Sequence, residues 1–162
     1  MTNITRRSAI ALAAGAAGSI GLAHAADRSS GPKKEAATAG IERYEPSPSM
    51  PGIPLISNLV VHRDIAYLSG VTANPADLLG DIKDQTRQVV ARIDALLAKA
   101  GTSKSKLLTA QVFLTDMSLF AAHNEAWNEW VDPNNRPVRA CLMSPQLWRP
   151  GMLVEIMVTT AI

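Results

Sequence analysis

The sequence predicts an α+β domain in which one mixed β-sheet carries two helices on a single face. Three observations predict it: segments that alternate apolar and polar residues with a period of two, two segments whose apolar residues recur with a helical period, and the order in which they follow one another, β-β-β-α-β-α-β-β. The 162 residues, 47% of them hydrophobic, are enough for one core and too few for a second domain.

Ile41 to Glu45 reads as a first strand, and the Pro/Ser-rich stretch Pro46 to Pro54 as a loop. Leu59 to His62 and Ile65 to Gly70 read as a hairpin about Arg63-Asp64, a two-residue turn without the usual glycine. After a loop through Ala73-Asn74-Pro75 the period changes. Ile82, Val89, Val90, Ile93, Leu96 and Leu97 form one stripe of a 3.6-residue repeat, with Asp81 as N-cap and Gly101 as C-terminal stop. Lys106 to Asp116 alternates again as a strand. Ser118 to Trp130 reads as the second helix, with Leu119, Phe120, His123, Trp127 and Trp130 on one side and Asp132-Pro133-Asn134-Asn135 ending it. Val138 to Met143 and Leu153 to Thr160 are the last strands.

The N-terminal part reads differently. Arg6-Arg7, the weakly apolar Ala/Gly-rich run Ala9 to Leu22 and the small-x-small Ala23-His24-Ala25 make residues 1–25 an expected twin-arginine export signal. An Ala/Gly-rich run this short is a poor membrane anchor, so no stable insertion is expected after cleavage, and the mature protein is expected to be periplasmic or otherwise exported. Residues 26–40, polar and without periodicity, read as a flexible linker, which leaves 41–162 as the domain.

Charge and composition exclude several functions. Of 16 basic and 14 acidic residues, Arg6 and Arg7 leave with the signal, so residues 26–162 carry 14 of each. A neutral chain without a Lys/Arg run is not expected to bind nucleic acid. Cys141 is the single cysteine, which rules out an intramolecular disulfide, and the scattered His24, His62 and His123 offer no metal-ligand spacing.

Alternation selects the candidate site. Arg139, Cys141 and Met143 share one face of their strand; in the last strand Val154, Ile156 and Val158 are purely apolar and should face the helices, leaving Leu153, Glu155 and Met157 on the other side. If these two strands pair antiparallel, Arg139, Cys141 and Glu155 gather on the face that no helix covers, an apolar surface suited to burial in a homo-oligomer. Arginine and glutamate there make either an ion pair or a ligand pocket.

Gly80-Asp81, Gln85-Thr86-Arg87-Gln88, Lys99-Ala100-Gly101, Val112-Phe113-Leu114-Thr115-Asp116, Phe120 with Asn124 and Trp127, Arg136-Pro137-Val138-Arg139-Ala140-Cys141 and Leu153-Val154-Glu155-Ile156 stand in the order of a known pattern. Together they resemble the reactive-intermediate deaminase (RidA, YjgF-like) family over residues 41–162. The resemblance implies a chorismate-mutase-like α+β fold, a homotrimer with a cleft at each subunit interface, and hydrolysis of enamine or imine intermediates such as 2-aminoacrylate to 2-oxo acids and ammonia, without metal or cofactor. It implies that Arg139 fixes the substrate carboxylate, that Glu155 positions or deprotonates water, and that Cys141, Ser69 and Asn124 line the pocket. A guanidinium and a carboxylate suit those tasks chemically.

Two departures stand out. Where the family carries Gly-Pro-Tyr, this chain has Gly52-Ile53-Pro54-Leu55-Ile56, and Val71 replaces a glutamine after Ser69-Gly70. Trp127 reads as core, and Trp148-Arg149 either overhangs the cleft or is solvated. A non-catalytic protein binding small carboxylates, or a chaperone-like one, is the alternative on the same scaffold.

Overall fold

In the computed structural model, which describes residues 40–75 and 80–162, seven strands form one sheet and two helices cover one of its faces. The expected export signal, and the expected linker up to residue 39, lie outside the described residues. The strands are β1 (Ile41–Pro46), β2 (Ser57–His62), β3 (Ile65–Leu68), β4 (Val71–Thr72), β5 (Leu107–Leu114), β6 (Val138–Met143) and β7 (Val154–Ala161). The helices are α1 (Ile82–Lys99) and α2 (Phe120–Trp130). The spatial order is β1-β2-β3-β7-β5-β6, with β4 also paired to β7. β4 adds a strand to the expected order, because two residues are too few to show a period.

Local chemistry sets the boundaries. Arg63 takes a left-handed φ of 54°, which lets the glycine-free turn join β2 to β3. The Asp81 carboxylate accepts from the Asp84 N–H at 3.0 Å and caps α1, and Gly101, at φ 72°, lies just past its C-terminal cap. The stripe Ile82, Val89, Val90, Ile93, Leu96 and Leu97 is buried against Ala110, Val112, Val154, Ile156 and Val158 of the sheet. Each such aliphatic side chain contributes about 1.5–3 kcal/mol on leaving water. Lys83 pairs with Glu125, Arg87 with Glu129, and Asp94 accepts from Trp130 Nε1 at 2.9 Å, so the two helices lie side by side and run in the same direction. Among the described residues no helix is long and apolar enough to cross a membrane.

The antiparallel pairing of the last two strands does not occur. β6 pairs in parallel with β5, and β5 stands between it and β7. The reason is the connection: a strand that leaves through a helix packed on the sheet returns parallel to its starting strand, and α2 is that crossover. β3, α1 and β5 repeat the arrangement, with β7 inserted between the two parallel strands.

Candidate functional site

The true pairing re-sorts the candidate residues. Arg139 lies opposite Ala110 and Cys141 opposite Val112, both buried, so these side chains project to the helix side of the sheet. Glu155 lies opposite Phe113 and between the buried Val154 and Ile156, so it projects to the uncovered side. The expected gathering of Arg139, Cys141 and Glu155 on one face is therefore wrong for a single protomer, and no Arg139–Glu155 ion pair forms among the described residues. The uncovered face is apolar as expected, but Tyr67, Val138, Leu142 and Met157 form it in place of Cys141 and Met143.

The structure brings Arg139 together with Asn124. Its Nη1 donates to Asn124 Oδ1 at 2.8 Å, and its guanidinium lies 5.0 Å from the ring centroid of Trp127. Trp127 is both core, as expected, and the platform for this arginine. The Nε and Nη2 atoms are buried and have no hydrogen-bond partner. They form one edge of the planar guanidinium, the edge that takes a carboxylate through two parallel bonds. Burial lowers the pKa of Arg139 from its ordinary value, with the nearby Cys141 acting against that. Burial likewise raises the Cys141 thiol, and Arg139 partly offsets it, which makes the cysteine a poor nucleophile.

His123 belongs to the same layer, although no spacing in the sequence marks it as a site residue. Its side chain is fully buried, its Nδ1 lies 2.9 Å from Thr86 Oγ1, and that hydroxyl donates to the Ile82 carbonyl at 2.7 Å. The hydroxyl must then accept from His123, which fixes a neutral ring protonated at Nδ1 and leaves an unpartnered lone pair on Nε2. Burial first, and the charge of Arg139 second, lower its pKa from 6.5 to about 4. The signal available in the sequence was a histidine within the apolar stripe of α2.

On the other side, Glu155 sits against Gly70 so closely that a Cβ there would fall on its carboxylate. Burial raises its pKa above the ordinary 4.5, and no cation offsets the effect. Glu155 lines a cavity of about 550 Å³ together with Asn58, Gly70, Arg92, Trp148 and the loop residues Ile53 and Ile56. Trp148 thus overhangs this cavity, and apolar side chains stand in the wall where the family pattern has a tyrosine. Ser69 opens into an adjoining cavity of about 150 Å³ that shares Asn58, Gly70 and Arg92, and its hydroxyl lies 3.3 Å from Asn58 Oδ1. The candidate site therefore falls into two halves: Arg139, Asn124 and Cys141 on the helix side of the sheet, and Glu155 on the other, with Ser69 in the cavity adjoining it.

Gln85 ties the second half to α1. It is buried, donates to the Gly151 carbonyl at 2.8 Å and accepts from the Leu153 N–H at 2.9 Å, which holds the β6–β7 loop just ahead of Glu155.

The family profile described as endoribonuclease L-PSP matches residues 54–162. A RutC family protein of Haemophilus ducreyi is 42% identical over 106 residues, which cover 65% of this chain and 88% of that one. The RutC family protein YoaB of Escherichia coli is 41% identical over 106 residues, covering 65% and 90% of the two chains. The crystal structure of a member of the YjgF protein family from Neisseria meningitidis superposes with a TM-score of 0.66 at 31% identity, over 75% of this chain and 93% of that one.

Proposed function

The chain belongs to the endoribonuclease L-PSP (YjgF/RutC) family, and on that premise we propose that it hydrolyses imino acids to 2-oxo acids and ammonia in clefts between the subunits of a homotrimer. The observation that carries this reading is the unpartnered Nε/Nη2 edge of Arg139, buried and held in place by Asn124 and Trp127. A cation oriented before its ligand arrives spends little further entropy on binding a carboxylate. Because Glu155 lies across the sheet, the cleft joins Arg139 of one protomer to Glu155 of the next. The apolar uncovered face gives the subunits a surface to bury.

In that cleft Arg139 holds the α-carboxylate. Glu155 takes a proton from water as the oxygen attacks the imine carbon, and returns that proton to the imine nitrogen. The resulting carbinolamine gives its hydroxyl proton through Glu155 to the nitrogen as the C–N bond breaks, so ammonia departs, the 2-oxo acid remains and the carboxylate is ionised again. A carboxylate with a raised pKa is a stronger base for the first step.

Residues 41–162 carry 11 basic against 12 acidic side chains, which argues against RNA as the substrate despite the family's description. The apolar wall at Ile53 and Ile56 favours a second reading, a protein that binds small carboxylates without turning them over.

One assay separates the two. Imino acids are generated by an amino-acid oxidase and trapped competitively by semicarbazide. The purified chain is expected to lower adduct formation, and the Arg139→Ala variant is not. Absence of any effect with every imine offered, while carboxylates still bind, would leave the binding reading in its place.

A further inference from the structure

We infer that Arg92 makes a second anion subsite in the cavity of Glu155, which fits the chain to imino acids bearing a second carboxylate; this rests on the deaminase reading above. α1 carries four cations, Lys83, Arg87, Arg92 and Lys99. Three are neutralised within the protomer: Lys83 by Glu125, Arg87 by Glu129 and Asp84, Lys99 by Glu45. Arg92 has no carboxylate partner among the described residues, yet it lines the cavity that holds Glu155.

Its guanidinium is also positioned in advance. Nη1 donates to the carbonyl of Thr72, and Thr72 is the residue of β4 paired with Glu155 of β7. That bond brings the side chain from the helix layer to the sheet edge, one strand from the catalytic carboxylate, and leaves the remaining N–H groups for a ligand. A single uncompensated charge matches a monoanion better than a phosphate dianion, because Lys99 beside it is already held by Glu45. A substrate spanning the cleft would then place its α-carboxylate on Arg139 and its terminal carboxylate on Arg92, with the imine carbon between them near Glu155. The hydrolysis is unchanged; only the substrate's far end is recognised.

The test is calorimetric titration of the full chain with 2-oxoglutarate and 2-oxopentanoate, product-like acids of equal length that differ in the terminal carboxylate. Wild type is expected to bind the diacid about tenfold more tightly, the order a charge-assisted contact supplies. Arg92→Gln should bring that ratio close to one, and Arg92→Lys should restore part of it. Equal affinities in wild type, or a ratio that survives in Arg92→Gln, would overturn the subsite while leaving the deaminase reading intact. If Arg139→Ala keeps the diacid affinity that Arg92→Gln loses, the subsite stands and the deaminase reading falls. Failure of wild type to bind either acid would remove both.

Discussion

Arg139 and Glu155 point to opposite faces of one sheet, with β5 between their strands. No rotamer change brings them together within a protomer, so a site that uses both needs two copies of the chain. Complementation follows. Arg139→Ala and Glu155→Gln are each expected to be severely impaired, but when co-expressed and randomly mixed in the proposed trimers about a quarter of the interfaces regain an intact Arg139 and an intact Glu155. Activity in the mixture well above either parent is the expected outcome. A mixture as inactive as its parents would show that the two residues do not share a cleft.

Glu155 predicts an acid limb. In the proposed hydrolysis its ionised form accepts a proton from water, and burial raises its pKa above 4.5. Activity measured as kcat/KM should fall as pH drops through a pKa above that ordinary value, and Glu155→Gln should abolish the limb while lowering kcat by roughly 100-fold. The sign for stability is opposite. A carboxyl whose folded pKa is raised holds its proton more tightly when folded, so ionisation opposes folding as pH rises, and Glu155→Gln should be slightly more stable than wild type at neutral pH. Gly70→Ala gives a steric counterpart, because the new Cβ falls on the carboxylate and must displace it.

His123 predicts a pH dependence of stability unrelated to turnover. The native state holds the ring neutral with a pKa of about 4, against 6.5 when unfolded. Between those values the unfolded chain binds the extra proton, so stability is complete above pH 6.5 and is lost as pH falls towards 4. At pH 5 the loss relative to pH 7 should be about 2 kcal/mol. Urea unfolding at both pH values checks this. In His123→Leu most of that difference should vanish, because the titrating ring is gone, and Thr86 keeps its bond to the Ile82 carbonyl.

The stripe from Ile82 to Leu97 and the alternation of Val154, Ile156 and Val158 follow from burial alone, which a period reveals. The family pattern names Arg139 and Asn124 separately as pocket residues; their bond to each other is a finding of the structure, as is the place of Trp148 over a cavity. The period of two says which residues of one strand share a face, but not which face that is relative to another strand. The relation between Arg139 and Glu155 depended on strand order, and the helix between β5 and β6 was the available sign that the return is parallel. Arg92 was out of reach for a different reason. Its role depends on lacking an acidic partner, and partners across helices and strand edges have no fixed spacing in sequence.

Gln85 links the two helical and sheet layers at the point where the second half-site begins. Its amide satisfies the Gly151 carbonyl and the Leu153 N–H, and both bonds are made by a side chain with almost no exposure. Replacing it with methionine conserves much of the volume and leaves both backbone groups without a partner. Each such group costs about 1–3 kcal/mol when it stays buried, so Gln85→Met should lose about 2–6 kcal/mol. The expected signature is a lower urea midpoint with an unchanged slope, together with faster hydrogen exchange at the Leu153 amide. Because Leu153 precedes Glu155 by two residues, the loosened loop should lower kcat more than it weakens carboxylate binding at Arg139. A midpoint within experimental error of wild type would mean that solvent reaches these groups, and that the loop is held by its packing rather than by Gln85.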